Sequence, residues 1–274
     1  MKRTTLGIIG CLIAASMVVS CQKSDQNKDA KPDQVSADVL AQIKANGFST
    51  NDVRKVEDGY LVEGDILLTA EQLSQKVGSP TLRVANTEQY RTNNLVTALP
   101  RVITVKVVNL GTAFVAGADT AIARYNRLGL RITFKRITSG TATITIQGFN
   151  QGPSGGYITL GSSGFPTSSG NPYGTIKMNT NQYAYGSNPN VLYVGSVIQH
   201  EIGHCIGMRH TDYMDRSYSC GGSAVNEGDG GVGAVYIPGT PSGPDANSWM
   251  LACSNGGNRT FNANDVIALN YLYH

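Results

Sequence analysis

The chain has 274 residues and a formal charge of +3; only 15% of its residues are charged, while 32 are glycine. This length allows one catalytic domain of average size preceded by a smaller N-terminal region. Because the positive charge is spread along the chain without a dense run of Lys and Arg, it does not predict a nucleic-acid-binding surface.

The first twenty residues have the pattern of an export signal. Lys2 and Arg3 precede an apolar run over 6–19, which spans roughly 21 Å as a helix and is too short for a hydrocarbon core of roughly 30 Å. We therefore expect residues 1–20 to be a signal peptide, not a transmembrane anchor. The sequence Val-Val-Ser-Cys that ends at Cys21 resembles a bacterial lipobox, in which the signal is cut before a cysteine that becomes lipidated.

A lipid anchor at Cys21 would attach the chain to a membrane through the polar stretch 21–35, whose composition is typical of a flexible tether. Ordinary signal cleavage is the alternative. The chain is thus expected to be exported, as a lipoprotein of the cell envelope or surface or else as a secreted protein.

Three cysteines remain after residue 21, and their odd number leaves one unpaired. Cys205 lies inside a predicted helix, where a small buried thiol is the simplest role. We therefore predict a disulfide between Cys220 and Cys253 in an oxidising compartment, with two free thiols as the alternative.

Residues 36–100 are interpreted as a propeptide-like N-terminal region and linker. The apolar spacing in 36–49 predicts a short helix, and the alternation over 54–69 predicts a hairpin that turns at Asp58 and Gly59. From 70 to 100 the pattern becomes polar and contains regularly spaced arginines, which indicates an exposed linker.

A second unit, 101–274, begins with elements of an α+β sheet. Strands are predicted over 101–108, 130–137, 142–149, 157–160 and 175–179, and a helix over 117–129. A second helix over 191–207, with Asn190 as its N-cap, is apolar on nearly every face and should lie in the interior. A C-terminal helix is predicted with Asn262 as its N-cap and Asp265 in its first turn.

The string HEIGHCIGMRH at 200–210 predicts a catalytic metal site. His200 and His204 are four residues apart on one helix face, with Cβ atoms about 6 Å apart, so that both rings reach one Zn²⁺. Glu201 is rotated about 100° from His200 and reaches a metal-held water as a general base. Gly207 can end the helix in the left-handed conformation, which brings His210 to the metal as a third ligand.

Three histidine ligands leave one position open for water, which is the arrangement of catalytic zinc sites and favours hydrolysis of peptide bonds. A solvated helix carrying two histidines would explain HExxH alone, but such an apolar helix does not leave histidines without partners. A purely structural zinc site is opposed by the lack of a fourth protein ligand near the motif. The remaining alternative is a catalytically silent lipoprotein that uses the same fold for binding, and Glu201 argues against it because a silent homologue would commonly lose this residue.

The motif resembles the HExxHxxGxxH signature of metzincins, and specifically the bacterial dual-action HEIGH metallopeptidases. The sequence Ser-Trp-Met that ends at Met250, forty residues after His210, resembles the methionine turn beneath the metzincin zinc, and 261–273 resembles the closing helix of matrixins. The resemblance implies a zinc endopeptidase with a twisted mixed sheet of about five strands, an active-site helix, a methionine turn and a C-terminal helix. Met250 would then be structural and not a ligand.

The resemblance has further consequences at individual positions. Astacins and serralysins place a tyrosine ligand where this chain has Ala252, so a tyrosine switch is not expected. Asp212 is interpreted as a surface-turn residue outside the catalytic set. Metzincins bind extended peptide along an edge strand, and the matching stretch here is 157–163, which therefore predicts a peptide-binding edge, with a buried strand as the alternative.

Residues 62–66, Val-Glu-Gly-Asp-Ile, resemble the FxGDI segment with which astacin propeptides place an aspartate on the zinc. Asp65 is therefore a candidate zinc ligand of a latent form. Activation would require a cut in the predicted linker, where Arg83, Arg91 and Arg101 offer tryptic-type sites. The alternative is a hairpin end at which Asp65 is merely solvated.

Overall fold

A computed structural model describes residues 35–74, 89–154, 156–227, 233–241 and 243–274. The predicted signal peptide, the lipobox residue Cys21 and the candidate cleavage site Arg83 lie outside these ranges. No helix within them is long and apolar enough to cross a membrane.

The N-terminal region, residues 35–74, has the predicted helix but one more strand than predicted. Its elements are α1 (Ala37–Ala45), β1 (Arg54–Val56), β2 (Gly59–Val62), β3 (Ile66–Leu68) and α2 (Ala70–Ser74), and the three strands form an antiparallel sheet in the order β1-β2-β3. The predicted turn at Asp58 and Gly59 is confirmed. A second turn was missed, because Glu63 and Gly64 adopt positive φ angles of 55° and 90° and reverse the chain before Asp65.

A small apolar core holds the N-terminal region together and joins it to the second unit. Buried residues of α1, β2, β3 and α2 pack on one another, and they include Ile43, Val62 and Ile66. Phe48 stacks on Phe165 of the second unit, with ring centroids 5.8 Å apart.

The second unit contains the predicted five-stranded mixed sheet. Its strands are β5 (Arg101–Val108), β6 (Ile132–Arg136), β7 (Ile144–Phe149), β8 (Gly161–Ser162) and β9 (Thr175–Asn179), in the order β6-β5-β7-β9-β8. All neighbours are parallel except β8 and β9. The prediction of a strand at 157–160 is wrong in position, because the edge strand that pairs with β9 begins at Gly161.

Two helices cover this sheet and cross at glycines. They are α3 (Thr112–Asn126), which connects β5 to β6, and α5 (Val191–Cys205), whose N-cap Asn190 accepts from the amides of Leu192 and Tyr193. A Cβ atom at Gly117 of α3 would lie 2.8 Å from the Val194 side chain of α5. The absence of a side chain there lets the two helices approach closely, which fixes α5 against the sheet.

The C-terminal helix begins where it was predicted. The helix α7 (Ala263–Tyr273) starts with a capping box, in which Asn262 accepts from the Asp265 amide and Asp265 accepts from the Asn262 amide. The remaining short elements are β4 (Tyr90–Arg91), α4 (Gln182–Tyr185), α6 (Ser217–Cys220) and β10 (Val235–Tyr236), and β4 pairs with β10.

The expectation of an exposed linker is wrong for four buried residues between 89 and 96, which are Gln89, Tyr90, Thr92 and Val96. The Gln89 side chain donates to Asp265 over 2.7 Å. Arg91 and Arg101 lie within strands. Polar composition was misleading here because the polar groups of this segment pair with buried partners of the second unit.

The contact between α3 and α5 predicts a large effect of a single added side chain. Gly117→Val should destabilise the protein by about 2 kcal/mol, because the new methyl groups would overlap Val194 and push the helices apart. The matched control is Gly152→Val, since a Cβ at Gly152 meets no atom within 4 Å, and we expect it to change stability by less than about 0.5 kcal/mol. Denaturant unfolding of both variants checks the difference, and equal stabilities would contradict the packing argument.

Candidate metal centre

The three predicted histidines converge on one point. His200 and His204 lie one turn apart on α5, with ring centroids 4.7 Å apart, and His210 lies 5.3 Å from the first and 4.9 Å from the second. The helix ends at Ile206, and Gly207 has φ of +107°. A Cβ at Gly207 would lie 2.8 Å from the Leu95 side chain, so both backbone conformation and space require glycine where the chain turns back toward the metal site.

Each imidazole is held through its Nδ1 atom. The acceptors are the Trp249 carbonyl for His200 at 2.9 Å, the Met208 carbonyl for His204 at 2.8 Å, and the Glu227 carboxylate for His210 at 3.0 and 3.1 Å. A carbonyl oxygen only accepts, so the proton lies on Nδ1 and Nε2 keeps its lone pair. This is the tautomer that binds a metal ion through Nε2.

Asp65 of the N-terminal region fills the centre of the three rings. Its Oδ2 atom lies 3.3 Å from His200 Nε2, 3.2 Å from His210 Nε2 and 4.0 Å from His204 Nε2. The four ligand atoms are all within 4.8 Å of one another. The predicted meeting of Asp65 with the histidines is therefore present in the structure.

This donor set fits a zinc ion. Three neutral imidazoles and one carboxylate make a tetrahedral N₃O site, which zinc favours. His204 Nε2 is buried and has no hydrogen-bond partner within the described residues, and an orphaned lone pair in the interior is costly unless a ligand such as a metal ion meets it. Burial lowers the pKa of His204, which favours the neutral form that a metal requires.

Glu201 lies beside the three rings but is not one of the four grouped ligands. Its carboxylate is 1% exposed and accepts a hydrogen bond of 2.8 Å from the Ser163 hydroxyl. A Cβ at Gly161 would lie 2.7 Å from Glu201 Oε1, so glycine in the edge strand leaves room for the carboxylate. Burial, and after it the nearby Asp65 carboxylate, raises the pKa of Glu201 well above its usual value.

The methionine turn lies under α5 as the resemblance implied. Met250 is fully buried, and a Cβ at Gly203 would lie 2.6 Å from its sulfur. Asp265 at the start of α7 accepts from the Trp249 amide over 3.3 Å. The C-terminal helix thus fixes the methionine turn, and the Trp249 carbonyl of this turn accepts from His200.

Two links join α6 to the segment after the methionine turn. The sulfurs of Cys220 and Cys253 are bonded, with Cα atoms 5.1 Å apart. Asp212 is 3% exposed and accepts from the Ala252 amide over 2.9 Å and from the Ser219 hydroxyl of α6 over 2.5 Å. The expectation of a surface-turn residue at 212 was wrong, because this buried carboxylate accepts from a backbone amide and a side-chain hydroxyl.

Glu227 is a site residue that the sequence did not predict. It lies 17 positions after His210 with no recognisable motif around it, and it is fully buried. Besides its contact with His210 it forms an ion pair with Arg216, whose Nε atom lies 2.9 Å from Glu227 Oε1. A carboxylate on the far nitrogen of a metal-binding imidazole fixes the ring and raises its basicity.

Glu63 and Arg209 form a buried ion pair that was also missed. The Arg209 Nη2 atom lies 2.7 and 2.6 Å from the two Glu63 oxygens, and both side chains are without solvent exposure. Arg209 also lies over the Phe48 ring, 4.6 Å from its centroid. Because Arg209 is the neighbour of His210, this pair ties the N-terminal region directly to the metal-binding loop.

The N-terminal region also occupies the edge that was expected to bind peptide. The Ser163 amide donates to the Asp65 carbonyl over 3.0 Å, and the Leu67 amide donates to the Ser163 carbonyl over 2.6 Å. This backbone pairing involves Ser163, which is the last residue of the predicted peptide-binding edge 157–163 and directly follows β8. The sheet edge next to Glu201 is therefore able to accept an extended segment.

Comparison with known proteins identifies one family. The family model for dual-action HEIGH metallo-peptidases matches residues 60–273, while no curated protein matches the chain. Among solved structures, one of myroilysin is 18% identical, with a TM-score of 0.43 over 67% of this chain and 98% of that chain. A hatching enzyme zinc-protease from the Medaka fish Oryzias latipes is 15% identical, with a TM-score of 0.39 over 71% and 98%.

The contact between Glu227 and His210 predicts a measurable effect on metal affinity. Glu227→Gln should weaken zinc binding about 10- to 100-fold, because an amide orients the imidazole without increasing its basicity. Competition against a chromogenic chelator measures the affinity, and circular dichroism checks that the variant is folded. The matched control is Glu71→Gln in α2, whose side chain is exposed. Equal affinities for the two variants would contradict the role of Glu227.

Proposed function

The chain belongs to the dual-action HEIGH metallopeptidase family and is a zinc-dependent peptidase, and on this premise we propose that it is an exported endopeptidase in which Glu201 activates the attacking water. We further propose that residues 35–74 hold it in a latent form. Its substrates are peptides or proteins.

The observation that carries this proposal is the position of Glu201 relative to the three imidazoles. The ligand atoms of the three histidines and Asp65 lie within 4.8 Å of one another. The Glu201 carboxylate is outside this group but close enough to Asp65 and His210 for their charges to act on it, and it lines the same cavity as His200. Once Asp65 leaves, three protein ligands and an open position remain, which is the ligand count of catalytic zinc sites.

Glu201 is placed to move a proton during hydrolysis. Bound zinc would lower the pKa of a water and polarise the substrate carbonyl. The Glu201 carboxylate would accept the proton of the attacking water and pass it to the leaving nitrogen. Ser163 supports this role because its hydroxyl donates to the carboxylate and fixes its orientation. A catalytically silent binding lipoprotein has no use for a buried carboxylate held in this way.

Three contacts support latency. Asp65 lies between the histidines where substrate would bind, the Glu63 carboxylate is paired with Arg209, and backbone bonds at Ser163 occupy the sheet edge. Together they block both the metal and the peptide-binding edge. Arg91 and Arg101 lie in strands and are poor sites for a protease, which leaves Arg83 as the candidate cleavage site. We therefore assign the cut that releases the N-terminal region to residues 75–88.

Export and lipidation are supported by the sequence at the N-terminus and by the disulfide. A bond between Cys220 and Cys253 is compatible with an oxidising compartment outside the cytoplasm. The lipobox-like sequence before Cys21 supports attachment to a membrane through a lipid, with the polar stretch 21–35 as tether.

The general-base assignment predicts separate effects on metal content and turnover. Glu201→Gln should retain about one zinc per chain and lose peptidase activity by about 100-fold or more, because the three imidazoles are unchanged while the proton acceptor is lost. Metal analysis and hydrolysis of quenched fluorescent peptides measure the two quantities. Retained activity in this variant would refute the role of Glu201.

The latency proposal predicts that freeing the metal site raises activity. Zinc-loaded full-length protein should gain about tenfold or more in activity after limited trypsin treatment, and Asp65→Asn should raise the activity of the uncut chain because the carboxamide is a poor zinc ligand. Glu63→Gln should also raise the activity of the uncut chain, but by less, because it removes the ion pair with Arg209. Asp38→Asn is the matched control, since Asp38 lies exposed in α1. Equal activities of cut and uncut protein would exclude latency.

A further inference from the structure

A cavity of about 330 Å³ opens beside His200 and Glu201. The second unit forms most of its wall through three segments, which are the edge stretch 157–161, the region 216–225 around α6, and the stretch 249–259 after the methionine turn. Ser196 and Val197 of α5 also line it. Because Ser196 is one helical turn before His200, this part of the cavity is adjacent to the metal site.

Apart from the histidines, the second unit contributes more positively than negatively charged side chains to this cavity. Beyond the histidines they are Glu201, Arg216 and Arg259, whereas the other acidic groups, Asp52 and Asp65, belong to the N-terminal region. Release of that region removes these two acids together with Arg54, and leaves Arg216 and Arg259 beside the metal site.

Only one of the two arginines has a carboxylate partner. Arg216 Nε is bound to Glu227 at 2.9 Å. Arg259 takes part in none of the ion pairs formed by the described residues. Among the described residues, Arg259 therefore has no carboxylate within 4.0 Å, and the charges of Asp212 and Asp265 act on it only from farther away.

Arg259 is held in place between two walls of the cavity. Its amide donates to the Ser196 hydroxyl over 2.8 Å, and its Nη1 atom donates to the Cys253 carbonyl over 3.3 Å. Burial lowers its pKa, but a guanidinium stays protonated in proteins. A fixed, half-buried guanidinium loses little conformational entropy when it binds an anion, and its hydrogen bonds to a carboxylate are charge-assisted and can be bidentate.

We propose that Arg259 binds the carboxylate of the substrate, so that the enzyme prefers polypeptides with a Glu or Asp side chain close to the scissile bond. The proposal rests on the proposed peptidase function and names the substrate class of that same site. The acidic side chain enters the cavity between Ser196 and Cys253 and pairs with Arg259 while the neighbouring carbonyl lies at the metal site.

The test compares peptides that differ by one group. Zinc-loaded full-length protein is activated by limited trypsin treatment, the trypsin is inhibited, and quenched fluorescent peptides without Lys or Arg carry either Glu or Gln at each position within three residues of the cleaved bond. At one position kcat/KM should be about 10- to 100-fold higher for Glu than for Gln. Because the ratio is measured on one enzyme preparation, it does not depend on the fraction that is folded.

Substitutions then identify the residue responsible. Arg259→Gln should bring the Glu-to-Gln ratio to about 1, while Arg127→Gln, at the exposed end of α3, and Arg216→Gln should leave the preference in place. If Arg259→Gln shows no turnover, the Glu-to-Gln ratio of Arg259→Lys tests the assignment instead. An ammonium group lacks the planar fork of a guanidinium, so this variant should reduce the ratio at least about threefold.

The outcomes separate this inference from the proposed function. Absence of cleavage of every peptide by wild-type enzyme counts against the peptidase itself. Cleavage without any preference for Glu, or a preference that survives Arg259→Gln or is unchanged in Arg259→Lys, overturns the assignment of Arg259.

Discussion

The metal centre depends on three buried imidazoles whose Nδ1 atoms all have acceptors. Burial of neutral histidines is costly unless both ring nitrogens have partners. The acceptors at Trp249, Met208 and Glu227 satisfy one nitrogen each and leave the other for a metal. Much of the surrounding structure serves this arrangement, since the methionine turn, the glycine that ends α5 and the first turn of α7 each hold one of these groups in place.

The N-terminal region completes the electrostatics of the same site. Asp65 faces the histidines, and the Glu63 carboxylate pairs with Arg209 in a location without solvent. Three histidines hold the pKa of Asp65 well below its usual value although burial opposes this. Loss of the region would leave Arg209 with Glu227, which already lies 3.9 Å away, as the nearest carboxylate. Glu227 thus connects the ion pair of Glu63 and Arg209 to His210.

The cavity beside the metal site would serve both the proposed inhibition and the proposed substrate selection. Backbone pairing at Ser163 fixes an extended segment at the sheet edge, and this contact is independent of side-chain identity. In the proposed enzyme, selectivity would therefore come from side chains such as Arg259, which lines the same cavity. The disulfide between Cys220 and Cys253 and the buried Asp212 carboxylate hold that wall close to α6, which keeps the cavity in a defined shape.

The sequence alone determined the features that depend on local spacing. The helix that begins at Val191, its N-cap at Asn190, the paired ligands His200 and His204, and the N-cap of the last helix at Asn262 all involve residues within about four positions of one another, and the α-helix fixes their geometry. Only the tertiary structure decided that Glu63 pairs with Arg209, 146 residues away, that Glu227 holds His210, and that Gln89, Tyr90 and Val96 are buried. Such contacts have no periodicity in the chain, because they form only where the folded sheet and helices bring distant segments together, and a single carboxylate in a sequence looks the same whether it will be solvated or buried.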